Sequence, residues 1–175
     1  MSAAAKISAR LDGRTVLVVG RAGMDLYPLP DGSTIEAATG FVSDVGGSAG
    51  NIAVALARLG GKAALLSAFS DDAIGRFVMN SLENYSVDTA HCRILTGLER
   101  TSLAMAESRA DAPSVVIYRN NAADLGITAE QVAAIDLEAT GAIIITGTAL
   151  SREPSRHACR LLTERADAAG CPVIL

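Results

Sequence analysis

No stretch of this chain stays apolar for the roughly 20 residues that a membrane-spanning helix needs. No lysine and arginine cluster is dense enough to follow a phosphate backbone, and 19 acidic side chains outnumber 15 basic ones to leave a net charge of −4. Neither a membrane nor a nucleic acid is therefore an expected partner. Met1 to Arg14 lacks the apolar centre of a secretory signal, so the expected compartment is the cytoplasm. Cysteine is scarce and odd in number. Cys92, Cys159 and Cys171 show neither metal-ligand spacing nor a Cys-x-x-Cys pair, and they read as reduced, partly buried small hydrophobes. His91 and His157 each stand alone, without a partner for a relay or a metal, and read as surface or core histidines. The Gly-x-x-x-x-Gly-Lys-Ser/Thr phosphate loop is missing. Gly20 and Gly23 fall short of a dinucleotide fingerprint, because the third glycine is absent and Pro28 and Pro30 interrupt the strand-to-helix passage it requires. Repeats and low-complexity segments are absent too.

What is present is a globular chain of 175 residues, half of them hydrophobic, long enough for one domain with a sizeable core. Val16–Val19 is a β-branched apolar run ending at Gly20, which predicts a buried parallel strand opening into a binding loop. Ala63–Ala68 and Ala142–Ile145 predict two more buried strands, and Cys171–Leu175 begins another. Between them lie helix signals: Asp71 or Asp72 as a cap before Ile74, Phe77, Val78, Leu82 and Tyr85; a Thr128–Gln131 capping box; and an amphipathic Ser151–Ala169 with Gly170 after it. Strands alternating with helices predict an α/β fold, a mostly parallel sheet covered on both faces with ligand at the carboxyl ends. The segment from Asp25 to Val45 has a different pattern: a turn at Pro28–Gly32 and an alternating Phe41–Val45 predict two exposed strands. Ser102–Glu107 and Val115–Arg119 predict a further exposed pair.

The richest segment is Gly46-Gly47-Ser48-Ala49-Gly50-Asn51, followed by Ile52, Leu56 and Leu59 at helical spacing. Two glycines let the main chain approach a small polar molecule without a Cβ in the way, and the helix after them would aim unpaired N–H groups at the same place. Asn51 in the first turn can donate to or accept from hydroxyls. Asp25, just beyond the first strand, can accept hydrogen bonds from two neighbouring hydroxyls; from spacing alone a carboxylate capping its own turn is the commoner case. Arg119 offers a planar donor fork suited to a carboxylate, or else it is a solvated residue at a strand end. Arg100, Thr101 and Ser102 either line the pocket or cap a strand. Ser67, Ser70 and Ser86 read as local variation.

The pattern Gly-Gly-x-x-x-Asn-x-Ala-x-x-Leu-Ala-x-Leu-Gly over residues 46–60 resembles the first signature of the ribokinase-like (PfkB) carbohydrate kinases. Gly20–Tyr27 and Ile117–Asp124 resemble the branch that phosphorylates 5-dehydro-2-deoxygluconate in inositol catabolism. The resemblance implies a ribokinase-like fold, with a Rossmann-like core and a small β-sheet lid whose strands lie within 25–45 and 100–120. It implies Asp25, Gly46, Gly47, Asn51 and Arg119 as substrate-binding residues, a sugar or sugar acid as ligand, ATP and Mg²⁺ as cofactors, and a homodimer formed through the lid strands. In relatives acting on 2-keto-3-deoxygluconate a Tyr-x-Arg element meets the acid, but here Ile117 replaces its first tyrosine. The catalytic aspartate belongs to a Gly-Ala-Gly-Asp signature in the family's second half, which these residues do not include. Residues 14–175 are thus expected to be the N-terminal part of such a kinase and inactive alone. Alternatives are a fructose, ribose or 2-keto-3-deoxygluconate kinase, a non-catalytic sugar-binding module, or a nicotinamide-dependent oxidoreductase.

Overall fold

A computed structural model describes residues 10–175; most of the segment read for a leader, residues 1–9, lies outside them. Thr15–Val19 forms strand β1, and both of its edges are taken. Thr140–Ile145 (β10) pairs with it in parallel on one side and Ala63–Leu66 (β4) in parallel on the other. Val87–Asp88 (β6) and Val173–Ile174 (β11) extend the sheet to the order β11-β10-β1-β4-β6. The period of two decides which side chain goes where. Leu17 and Val19 join one core cluster with Ile143, Ile145 and Leu162, whereas Val18 joins another with Leu65, Ala53 and Val78. Because both faces are covered, the strand reads in sequence as an uninterrupted apolar run.

Helices α1 (Ser48–Arg58) and α2 (Ala73–Asn84) cover one face; α3 (Ala129–Ala133) and α4 (Ser155–Ala168) cover the other. Of the two candidate caps for α2, Asp72 is the one used: its Oδ1 accepts from the amides of Ile74 and Gly75 at 3.0 and 2.9 Å. The Thr128–Gln131 capping box forms as expected, and the Gln131 amide also donates to the carbonyls of Ser67 and His91.

Several elements depart from expectation. The second strand stops at Leu66, because the Ser67 carbonyl turns to Gln131 and to the amide of Arg93, and Ala68–Ser70 (β5) then pairs with Arg93–Leu95 (β7) in a separate two-stranded sheet. Strands of two or three residues such as β6 and β7 are too short to show a period. The last helix begins at Ser155, not Ser151: Gly147–Leu150 is a 3-10 turn, and the Ser155 hydroxyl donates back to the Ala149 carbonyl at 2.8 Å.

A second sheet stands beyond the carboxyl end of β1, in the order β3-β2-β8-β9, formed by Gly40–Gly46 (β3), Gly23–Leu29 (β2), Leu103–Ala106 (β8) and Val115–Tyr118 (β9). These are the expected exposed strands, and β8 extends the sheet by pairing in parallel with β2. Ser70 and Thr101 tie its base to the core. The Ser70 amide and hydroxyl both donate to Thr101 Oγ1, and the Thr101 amide donates to Ser70 Oγ, all at 2.9 Å and all buried. Thr101 and Ser70 are therefore structural. Farther out, the Glu107 carboxylate accepts from the amides of Ser114 and Ile35, joining the β8–β9 turn to the β2–β3 connection; those bonds hold its pKa below the usual carboxylate value.

Candidate functional site

The sheet order places β1 at a reversal: from it the chain moves out to β4 and β6, then crosses back to β10 and β11 on the other side. In parallel α/β sheets the crevice outside the strand ends at such a reversal is where ligands bind. Here it opens beyond Val19 and Ile145. Thr146 is fixed at its floor, with amide and hydroxyl both donating to the Val19 carbonyl at 3.0 and 3.1 Å. A chain of hydroxyls continues from there: Thr146 Oγ1 to Thr148 Oγ1 at 2.9 Å, and Thr148 Oγ1 to Ser48 Oγ at 3.2 Å. It joins the end of β10 to the first residue of α1.

Strands β2 and β3 bring Asp25 to the same corner. A Cβ built on Gly46 would fall 2.0 Å from Asp25 Cγ and Oδ2, so the carboxylate occupies the space any side chain at 46 would need. Burial pushes the Asp25 carboxyl above its ordinary range, the nearby Arg21 charge and the Tyr27 hydroxyl oppose the rise, and Asp44, its cross-strand partner, adds to it. Gly47 has φ of +91°, and a Cβ there would meet the Arg21 carbonyl oxygen at 2.6 Å. That carbonyl accepts from the amides of Ala49 and Gly50 at 3.0 and 3.2 Å. The expectation that these amides point at a ligand is corrected: the β1–β2 connection caps them, as buried orphan donors require. Asn51, in the first turn of α1, is solvent-exposed and has no side-chain hydrogen bond among the described residues.

Arg119 follows β9 and reaches the crevice from the far side. Its Nη2 donates to Asp124 Oδ2 at 2.5 Å and to the Thr148 carbonyl at 3.3 Å. It therefore borders the Thr148 hydroxyl chain, but its charge is balanced by a carboxylate only 2% exposed. The solvated reading does not hold. Arg100 lies on the surface, bonded to the carbonyls of Glu99 and Gly97.

Sequence reasoning missed two of these charged groups. Asp124 stood five residues from Arg119, and only folding of the intervening Asn120–Ala123 as a tight turn brings them together. Arg21 stood directly after the first strand, the position that enters a crevice in this architecture, and its Nη1 is buried with no hydrogen-bond partner. Among the described residues, no group of three or more His, Cys, Asp or Glu could hold a metal, and no helix is long and apolar enough to cross a membrane. Burial pushes the Cys92 thiol up to about 12 and that of Cys159 to about 11, so both stay unreactive thiols. A cleft of about 600 Å³ lies between α4 and the sheet edge, lined by Ile145, Leu150, Cys159, Thr163 and Leu175, and gathers none of the predicted site residues.

Comparison with known proteins places these features in context. The profile of the pfkB family carbohydrate kinases matches residues 14–175. A 5-dehydro-2-deoxygluconokinase from Photobacterium profundum is 37% identical over 159 residues, 91% of this chain and 48% of that protein. Another from Clostridium tetani is 38% identical over 152 residues, 86% of this chain and 45% of that protein. The chain thus spans about half the length of these relatives. Among solved structures, a fructokinase with bound ATP from Xylella fastidiosa superposes with a TM-score of 0.76 at 26% identity, covering 92% of this chain and 50% of that one.

Proposed function

The chain belongs to the pfkB family of carbohydrate kinases, and on that premise we propose that it is the sugar-binding part of an ATP-dependent kinase acting on a primary hydroxyl of a sugar acid. The acceptor proposed is 5-dehydro-2-deoxy-D-gluconate of myo-inositol catabolism, as the names of the relatives suggest. One observation carries the reading: the Asp25 carboxylate lies against Gly46 at the topological reversal, and the helix that follows exposes Asn51 in its first turn. In this proposal Asp25 accepts from two adjacent substrate hydroxyls, Asn51 bonds a third, Gly46 and Gly47 leave room for the sugar, and Arg119 forms the rim beside Thr148.

ATP and Mg²⁺ are expected for the whole kinase. The described residues supply neither a phosphate loop nor a carboxylate cluster for the metal, so the residues here do not fit that group and no step of phosphoryl transfer is assigned to them. The second sheet is proposed as the lid over the sugar. Its outermost strand exposes Val115, Ile117 and Tyr118 at 58, 48 and 55%, which suits contact with a second copy in a homodimer.

A neutral acceptor such as fructose is the second reading. The Arg119–Asp124 pair favours it, since it leaves Arg119 no uncompensated charge for an acid. Phosphorylation assays of the complete gene product with 5-dehydro-2-deoxygluconate, 2-keto-3-deoxygluconate, ribose and fructose decide between them. The expected result is a kcat/KM highest for the first; turnover of fructose at an equal or greater kcat/KM would overturn it.

A further inference from the structure

If a sugar acid occupies this crevice, its carboxylate needs a cation, and the residue expected to supply it is already committed. Arg119 spends Nη2 on Asp124 and on the Thr148 carbonyl, and the Asp124 carboxylate cancels its charge. We propose that Arg21, in the connection from β1 to β2, is the residue that recognises the acid group of the ligand and so sets acid-over-neutral specificity.

Three observations on Arg21 point this way. Its Nη1 is buried with no hydrogen-bond partner, a condition that Arg119 Nε shares, but unlike Arg119 it has no carboxylate within ion-pairing distance among the described residues. A guanidinium nitrogen left in that condition is costly unless an acceptor arrives to satisfy it. Second, its position is fixed from the backbone: the Arg21 carbonyl caps the amides of Ala49 and Gly50 and lies over Gly47, so the side chain starts from a rigid point between the first strand and α1. Third, it is close enough to Asp25 for its charge to act on that carboxylate. An arginine beside an aspartate, one with an unmet donor and the other with free acceptor atoms, matches the two ends of a polyhydroxylated acid. The carboxylate would meet the guanidinium, and the hydroxyls would meet Asp25.

The inference rests on the reading of this crevice as a polyol site, and the test separates the two. D-gluconate and sorbitol share a hydroxylated chain and differ in the carboxylate, so their affinities for this chain are measured by calorimetric titration. The natural protein should bind gluconate tighter than sorbitol by roughly 10- to 100-fold, the range for a charge-assisted hydrogen-bonded contact. Arg21→Gln should bring that ratio close to one while sorbitol binding persists. Arg21→Lys, a point charge without the planar fork, should leave an intermediate ratio. Arg119→Gln should lower stability, and as a rim residue it should weaken gluconate and sorbitol alike, so that their ratio stays in place. A ratio unchanged by Arg21→Gln, or one lost in Arg119→Gln instead, overturns the assignment. Should Arg21→Gln fail to fold, arginine side-chain nitrogen resonances of the natural protein decide: a buried guanidinium shifted by gluconate and not by sorbitol supports the proposal, and the absence of any such shift overturns it. Failure of the natural protein to bind either compound would overturn the polyol site itself, and with it the role of Arg21.

Discussion

Adjacent glycines with different neighbours should respond differently to the same methyl group. At Gly47 the obstruction is backbone, because a Cβ would lie 2.6 Å from the Arg21 carbonyl oxygen and 2.9 Å from Ala22 Cα, at φ of +91°. A non-glycine residue in such a region costs on the order of 1–3 kcal/mol. Displacing the Arg21 carbonyl weakens its bonds from Ala49 and Gly50, about 1 kcal/mol for each bond lost. Gly47→Ala should therefore destabilise the chain by about 3–5 kcal/mol, a fall in Tm of roughly 6–20 °C for a domain of this size. At Gly46 the obstruction is the end of a short side chain that can swing away. Gly46→Ala should cost only about 1 kcal/mol, or less than about 4 °C, as Asp25 rotates. It should nevertheless reduce polyol affinity by about tenfold or more, since the displaced carboxylate no longer meets the hydroxyls. Thermal melts by circular dichroism paired with gluconate titrations measure both quantities. If Gly47→Ala melts within about 2 °C of the natural chain, or below it by less than Gly46→Ala, the close-approach argument is wrong.

Thr101→Val leaves the buried Ser70 amide and hydroxyl without an acceptor, so urea unfolding should show a loss of about 2 kcal/mol or more. Asp72→Ala removes the cap of α2 and should cost about 1 kcal/mol at pH 7 by the same measurement. Burial alone would raise the pKa of Asp72, but bonds from the Gly75 and Ile74 amides hold it below the ordinary value. Its stabilising effect is therefore complete above the unfolded pKa of about 3.9 and fades as pH falls through the lower folded value, and the gap between the natural chain and Asp72→Ala should close over that interval. Asp25 has the opposite sign. Its raised pKa means the ionised form destabilises the fold, so Asp25→Asn should melt slightly higher than the natural chain at pH 7, by up to about 1 kcal/mol, with the advantage shrinking as pH falls toward 4. Arg119→Ala leaves the buried Asp124 carboxylate unpaired and should cost about 2–3 kcal/mol, less than a fully buried pair because Arg119 is 24% exposed; Asp124→Asn added to it should restore part of the loss.

Local chemistry determined much of this protein without help from the rest of the chain. The β-branched run at Val16–Val19, the Thr128 capping box, the glycine pair before α1 and the alternating Phe41–Val45 each act over a few residues. Their physical causes, side-chain period and cap hydrogen bonds, are written in adjacent positions, so the alternating elements and the site corner were legible. Long-range contacts decided the remainder. The Arg21 carbonyl lies beneath the start of α1, so the amides of Ala49 and Gly50 bind protein and not ligand. Ser67 ends a strand early because the Gln131 amide, 64 residues on, takes its carbonyl. Asp124 neutralises Arg119 only because a turn folds it back, and Arg21 keeps its charge unpaired because the fold brings no carboxylate within ion-pairing distance of it among the described residues. Which arginine has charge to spare for a ligand depends on where every carboxylate ends up, and that is a property of the packed molecule.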